Sequence, residues 1–380
     1  MAASPLPQPS AQPSAQPSRT SNIISAQRAS ESAQVPASWR AKQLVFIGLV
    51  ALLAIWYGLG GWRSPGIERN AADNLSIFDF LGFALLGLLI WLTTPIAWTI
   101  AATTFHEAIR RKWMTALLGF AVVMLAVSTF FTWMQPGEEQ KFLRDYGIGF
   151  TVIMTLIAAI FLGVAMIPPE VERRTIFTIL SKPVTRGEFL IGKYLGLMAT
   201  LMLNLAVMSA IFLLAYAVFV SHREGGFAKA LIADGVGISR QGLGFDLSNL
   251  ARALFLHLGT LSIMAAFAIM LSQFLSGITA IISCFLIYFL GQSASYWERL
   301  AGGSGDASAA AKPALSPALT AFISAIYALL PRLDRFDVRE RLVNDLPIGL
   351  NYLAKAGASG AIYTAVLLCV SYFVFSDREF

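Results

Sequence analysis

Eight apolar runs, separated by polar segments, set the pattern of the chain. They comprise residues 43–61, 80–102, 115–133, 147–167, 189–220, 250–271, 278–291 and 356–375. Most are close to the roughly 20 residues with which an α-helix crosses a bilayer. The pattern therefore predicts an all-α polytopic membrane protein with about eight spans.

The composition supports a membrane protein. Of the 380 residues, 56% are hydrophobic and only 13% are charged, more apolar surface than a soluble domain can cover. The net charge of +6 fits loop orientation and contact with lipid headgroups better than nucleic-acid binding. We expect a multi-pass protein of the cell's cytoplasmic (inner) membrane, with the lipid bilayer as a partner and no nucleic acid.

Residues that carry catalytic or metal chemistry are scarce in this pattern. The two cysteines, Cys284 and Cys369, lie within apolar runs and are typical of buried hydrophobic residues. The three histidines are scattered, and neither HExxH nor GxSxG occurs. Within the spans, Arg252 and His257 are the main ionisable residues, so an ion-coupled carrier is disfavoured. We predict no catalytic residue, metal site or cofactor in this chain.

The polar segments orient the spans. Residues 1–40 are rich in Pro, Ser, Ala and Gln, which predicts a disordered tail. The segments assigned to the cytoplasmic side (1–42, 103–113, 168–193 and 376–380) carry thirteen Lys and Arg residues, whereas the short segments assigned to the other side (62–78 and 135–146) carry four. By the positive-inside rule, both termini are cytoplasmic.

Residues 103–113 form a predicted interfacial helix that leads into the third run. Its apolar side chains are Phe105, Ile109 and Trp113, and its polar side carries Arg110, Arg111 and Lys112. A basic amphipathic helix of this kind lies on the membrane surface.

A charged stretch, residues 168–188, separates the fourth and fifth runs. Two prolines favour a helix start, with Glu170 and Glu172 in the first turn, where carboxylates complement the helix dipole. An apolar stripe follows at helical spacing, formed by Val171, Ile176, Ile179 and Leu180. Pro183 ends this piece, and Thr185 with Glu188 fits a capping box that starts the next helix.

The beginning of the fifth run contains a partial phosphate-loop pattern, Gly187 to Lys193. Tyr194 stands where a Mg²⁺-binding Ser or Thr is required, and an apolar span follows. We therefore expect no ATP binding here. Gly192 and Gly196 instead have the small-xxx-small spacing that allows helices to pack closely.

The same stretch resembles the cytoplasmic segment of type-2 ABC transporter permeases, in particular the nitrous-oxide-reductase maturation permease subgroup. The matching residues are Glu170, Glu172, Thr175, Leu180, Ser181, Pro183, Val184, Arg186, Phe189, Gly192 and Lys193. Residues 104–113 are similar to the entry helix of that family. The mixed-charge piece 331–340, inside the long loop 292–353, is similar to a segment found before the last span.

The resemblance implies a six-helix permease core within 103–380, preceded by two additional transmembrane helices within 41–102. Two such chains would pair, as a homo- or heterodimer, and each would dock a separate ABC ATP-binding subunit that binds ATP and magnesium. Residues 168–188 would act as the coupling helix. Its ATPase interface would comprise Glu170, Val171, Glu172, Arg173, Arg174, Thr175, Ile176, Ile179, Leu180, Ser181, Pro183 and Arg186. Its cap and joint to the membrane would be Thr185, Glu188, Gly192 and Lys193.

Two interpretations of such a complex are open at the level of sequence. In the first, ATP hydrolysis in the partner drives export through the paired permeases. In the second, the permease is a mechanotransmitter or scaffold that acts on an extracytoplasmic partner without transport. Alternatively, residues 168–188 form a solvated loop whose charges only set the orientation of the chain in the membrane.

Overall fold

The computed structural model describes residues 95–131, 139–166, 186–223, 242–294, 296, 330–344 and 346–377. All regular elements in these ranges are helical. They are α1 (Pro95–Ile109), α2 (Lys112–Phe131), α3 (Glu139–Val164), α4 (Arg186–Arg223), α5 (Gly242–Phe274), α6 (Gly277–Gln292), a 3₁₀ helix (Leu333–Phe336), α7 (Arg339–Val343) and α8 (Leu350–Asp377).

Four of these helices, α3, α4, α5 and α8, are long and apolar enough to cross a membrane, and the bent pair α1–α2 makes up to five. This confirms an all-α polytopic membrane protein. Helix α6 lies where the seventh span was predicted, but its 16 residues extend only about 24 Å. Residues 43–61 and 80–94 are outside the described residues, so the full number of eight spans stays a prediction.

The bend between α1 and α2 changes the predicted entry. The direction of the chain changes by 63° between the two helices. The predicted helix 103–113 is therefore divided at Arg110 and Arg111. At this break, Arg111 N donates to Ala108 O (3.2 Å) and Met114 N donates to Arg111 O (2.9 Å). Each hydrogen bond joins residues three apart, as in a 3₁₀ helix, instead of four apart as in an α-helix. Residues 95–102, the described part of the second predicted run, continue into 103–109 as one helix.

The long helices are held together by close contacts at small residues. A Cβ added at Gly163 in α3 would lie 2.5 Å from the Ala268 Cβ in α5, so these two helices approach more closely than ordinary side chains allow. We call the end of the bundle where α4 begins the Arg186 end. The opposite end, where α3, α5 and α8 begin, is the Glu139 end.

Residues 331–344, which the sequence placed in a long loop, are packed into the bundle. Leu333, Phe336, Val338 and Leu342 are all buried. A Cβ at Gly259 of α5 would lie 2.3 Å from the Phe336 ring, and one at Gly360 of α8 would lie 3.2 Å from it. The apolar residues of this segment are interspersed with charged ones, so its pattern does not indicate a span although five of its fourteen residues are buried.

Candidate functional site

Most of the predicted coupling helix lies outside the described residues. This applies to Glu170, Val171, Glu172, Arg173, Arg174, Thr175, Ile176, Ile179, Leu180, Ser181, Pro183 and Thr185. The described chain resumes at Arg186, the first residue of α4. The described part of the site is therefore the joint between that segment and the bundle.

The joint is a close contact between α4 and α1. A Cβ at Gly192 would lie 2.8 Å from the Ile100 Cβ, and one at Gly196 would lie 2.6 Å from the Thr104 Cβ. The predicted close packing at this glycine pair is confirmed. Because residue numbers rise together along both contact surfaces, α1 and α4 run in the same sense.

Two charged residues of the joint are almost fully buried. Glu188 is 6% exposed and Lys193 is 4% exposed. The Lys193 ammonium lies 4.0 Å from a carboxylate oxygen of Glu107 on α1 and 5.9 Å from the centre of the Phe189 ring. A buried lysine needs such a partner, because an isolated charge in an apolar surrounding is costly. The ion pair and the glycine contact together bind the start of α4 to α1.

Glu107 was not among the predicted site residues. Its other carboxylate oxygen accepts a hydrogen bond from the Arg111 guanidinium at 2.7 Å, one helical turn further on. The sequence offered a signal, since Glu107 and Arg111 have the i,i+4 spacing of helical ion pairs. Nothing in the sequence indicated that Lys193 would reach the same carboxylate.

The predicted entry-helix residues are placed on two helices. Phe105 and Ile109 lie in α1, and Ile109 is 41% exposed. Trp113 lies in α2, with its ring 6.1 Å from that of Phe161 in α3. Arg110 is exposed and Arg111 is half-buried at the bend. The apolar residues therefore do not form one continuous face, because the bend turns Trp113 towards the bundle.

A buried polar cluster joins α3, α4 and α5 at the Glu139 end, where the sequence predicted a polar connection. Asp246 accepts hydrogen bonds from the Tyr216 hydroxyl (2.8 Å) and the Gln140 amide (3.1 Å). The Arg144 guanidinium lies 3.8 Å from the other Asp246 oxygen, with both side chains 5% exposed or less. Arg144 also donates to the Leu342 carbonyl at 3.2 Å, which connects the cluster to α7.

A second ion pair joins α3 to α7 nearby. Arg339 makes a two-pronged contact with Asp145, in which its NH2 nitrogen donates to Oδ2 at 2.8 Å. The hydrogen bonds to Asp145 raise the pKa of Arg339. Unlike the Arg144–Asp246 pair, these side chains are 42% and 43% exposed. Among the described residues, no group of three His, Cys, Asp or Glu side chains could hold a metal ion.

Comparison with known proteins places this helical arrangement in a family. A family model described as "ABC-2 family transporter protein" matches residues 40–380. The chain belongs to the ABC-2 transporter family. It is also similar to the "Probable ABC transporter permease protein NosY" of Pseudomonas aeruginosa, with 28% identity over 116 residues. That match covers 27% of this chain and 38% of the relative, so the chain matches little more than a third of NosY.

Family membership confirms the resemblance to type-2 ABC permeases. The chain is a multi-pass membrane protein of this family.

Proposed function

We propose that this chain is a permease subunit that couples ATP hydrolysis by a separate ATP-binding subunit to export across the cytoplasmic membrane. The observation that carries the proposal is the family match over residues 40–380. The chain itself would not hydrolyse ATP, and both of its termini would be cytoplasmic. The Arg186 end of the bundle would then face the ATPase.

The coupling would pass through residues 168–188 into α4. The close contact between α1 and α4 at the joint supports this route, because it fixes the residues that follow the proposed coupling helix. Lys193 with Glu107, and Gly192 with Ile100, tie the first two turns of α4 to α1. Closure of two ATP-binding subunits would push this joint, and the rigid contact would pass the movement to the long helices.

The polar cluster at the Glu139 end supports transmission across the bundle. Asp246 connects α5 to α3 and α4 through Gln140, Arg144 and Tyr216. Displacement of any one of these helices alone would break several buried polar contacts, so the three are expected to move as a unit. The same rigidity favours the second candidate function, a mechanotransmitter that acts on an extracytoplasmic partner without transport.

Reversal of charge in the coupling segment tests the docking. Glu170→Lys combined with Arg174→Glu should abolish co-purification of the ATP-binding subunit while the permease still inserts into the membrane. Glu340→Lys is a suitable control, because Glu340 is an exposed residue of α7 at the Glu139 end. An unchanged yield of the complex with the double variant would overturn the assignment of residues 168–188.

Purified complex in liposomes separates the two candidate functions. Export requires ATP-dependent loss of a solute or lipid from the side that carries the ATPase. A mechanotransmitter should hydrolyse ATP in response to its extracytoplasmic partner and move nothing across the bilayer.

A further inference from the structure

The described segment before α8, residues 331–344, reaches the middle of the long helices. Phe336 contacts Gly259 and Gly360. Gly259 is the central residue of the span Gly244–Phe274, and Gly360 is two residues from the centre of Leu350–Val374. The residue that follows Phe336 therefore lies deep within the thickness of the bundle.

That residue, Asp337, is an exposed carboxylate. One of its oxygens accepts a hydrogen bond from the Gln292 amide at 2.5 Å, and the other accepts one from the Arg339 backbone N–H at 3.1 Å. Gln292 is the last residue of α6, so this short helix ends at the same depth. The half-exposed Arg339–Asp145 pair continues the polar surface towards the Glu139 end.

Exposed charges at this depth are incompatible with contact to lipid chains. The hydrocarbon core offers no hydrogen bonds, so charged side chains within it face protein or water-filled space. In contrast to this charged surface, another exposed surface of α6 has the composition expected for contact with lipid chains. It carries Ile278, Ile282, Leu286 and Phe289, which are 58–75% exposed and entirely apolar.

A small cavity extends the polar surface into the bundle. It has a volume of about 30 Å³ and lies between α3, α5, α6 and Phe336–Arg339, with His257, Thr260 and Tyr288 in its wall. Its wall also contains apolar side chains, and a cavity of that size with several polar groups in its wall has room for an ordered water molecule. The polar surface thus has both an exposed outer part and an interior extension.

We propose that Asp145, Gln292, Asp337 and Arg339 line a water-filled recess that enters the membrane from the Glu139 end. A polar or ionised solute, and not a lipid chain, is the ligand class that this wall would accept. The recess does not depend on the ATP-binding subunit, so this proposal and the proposed function fail independently.

Accessibility of single cysteines tests the recess. Cys284 and Cys369 are first replaced by alanine, and Asp337→Cys, Gln292→Cys and Leu286→Cys are then introduced one at a time. Full-length protein in membrane vesicles, with the Glu139 end facing outwards, is treated with a charged, membrane-impermeant methanethiosulfonate. The matched control is Leu286→Cys, because Leu286 lies on the same helix and is 58% exposed.

We expect the cysteines at 337 and 292 to react at least about tenfold faster than the cysteine at 286, since the thiolate is the reactive form and it is suppressed in apolar surroundings. Two positions are used because Asp337→Cys loses two hydrogen bonds and could disturb the segment, whereas Gln292→Cys loses one. Labelling at both positions no faster than at 286 would overturn the proposal. Oxidative cross-linking of both to a second copy, without labelling, would also overturn it by showing that the surface is a protein interface.

Discussion

The two ion pairs at the Glu139 end allow a matched test of how the bundle is held together. Asp246→Ala and Asp145→Ala remove the same side chain, and each removes a carboxylate that an arginine contacts. Arg144 is 3% exposed, whereas Arg339 is 42% exposed. The two variants therefore differ mainly in whether water can replace the lost carboxylate.

The expected magnitudes differ several-fold. Removal of one partner of a buried pair costs about 3–5 kcal/mol, and Tyr216 and Gln140 also lose their shared acceptor, at about 1–3 kcal/mol for each group left unsatisfied. These contributions overlap, so we expect about 4–6 kcal/mol for Asp246→Ala. Loss of a half-exposed pair costs about 0–1 kcal/mol, which is our expectation for Asp145→Ala.

Thermal unfolding of the detergent-purified protein, followed by the loss of the monodisperse peak in size-exclusion chromatography, measures the difference. Asp246→Ala should unfold at a clearly lower temperature than Asp145→Ala, which should stay close to the wild type. Arg144→Met combined with Asp246→Leu should recover part of the loss, because it removes both charges together. Equal unfolding temperatures for the two alanine variants would refute the claim that the buried cluster holds α3, α4 and α5 together.

Three further predictions follow from the packing and the tail. Gly196→Leu should separate α1 from α4 and reduce the stimulation of the ATPase by the permease. Gly119→Leu is the control and should have no such effect, since a Cβ at Gly119 meets nothing within 4 Å. Equal ATPase rates for the two variants would contradict a functional contact between α1 and α4. Phe336→Ala should lower stability by about 3–5 kcal/mol through the cavity it leaves, measured by thermal unfolding, and a change below about 1 kcal/mol would show that the ring is not packed in the core. Deletion of residues 1–38 should preserve both membrane insertion and ATPase co-purification, and loss of the complex would show that the tail has a structural role.

The apolar runs identified the membrane-crossing helices but not their ends. The fourth run was predicted from residue 147 and the sixth from residue 250, whereas α3 begins at Glu139 and α5 at Gly242. A prediction from hydropathy ends a span before polar residues such as Gln140, Arg144 and Asp246, so it places the start of these helices too late. These residues are compatible with burial because they contact one another across three helices, which is a tertiary property.

The joint and the segment before α8 show two other limits of sequence reasoning. The Gly192–Gly196 spacing predicts close packing but does not identify α1 as the partner, because the contacting residues Ile100 and Thr104 are distant in the chain. Phe336 stands among charged residues, and its burial depends on two distant glycines that leave room for the ring. Local periodicity carries no information about such pairings.

The central claim is that this chain is the membrane subunit of an ATP-driven complex. Affinity purification of the tagged, full-length chain from its native membrane, with identification of the co-purified proteins, tests it most directly. We predict an ABC ATP-binding subunit in equal number to the permease chains. Recovery of the intact permease without any such ATPase, under conditions that preserve membrane complexes, would contradict the proposed function.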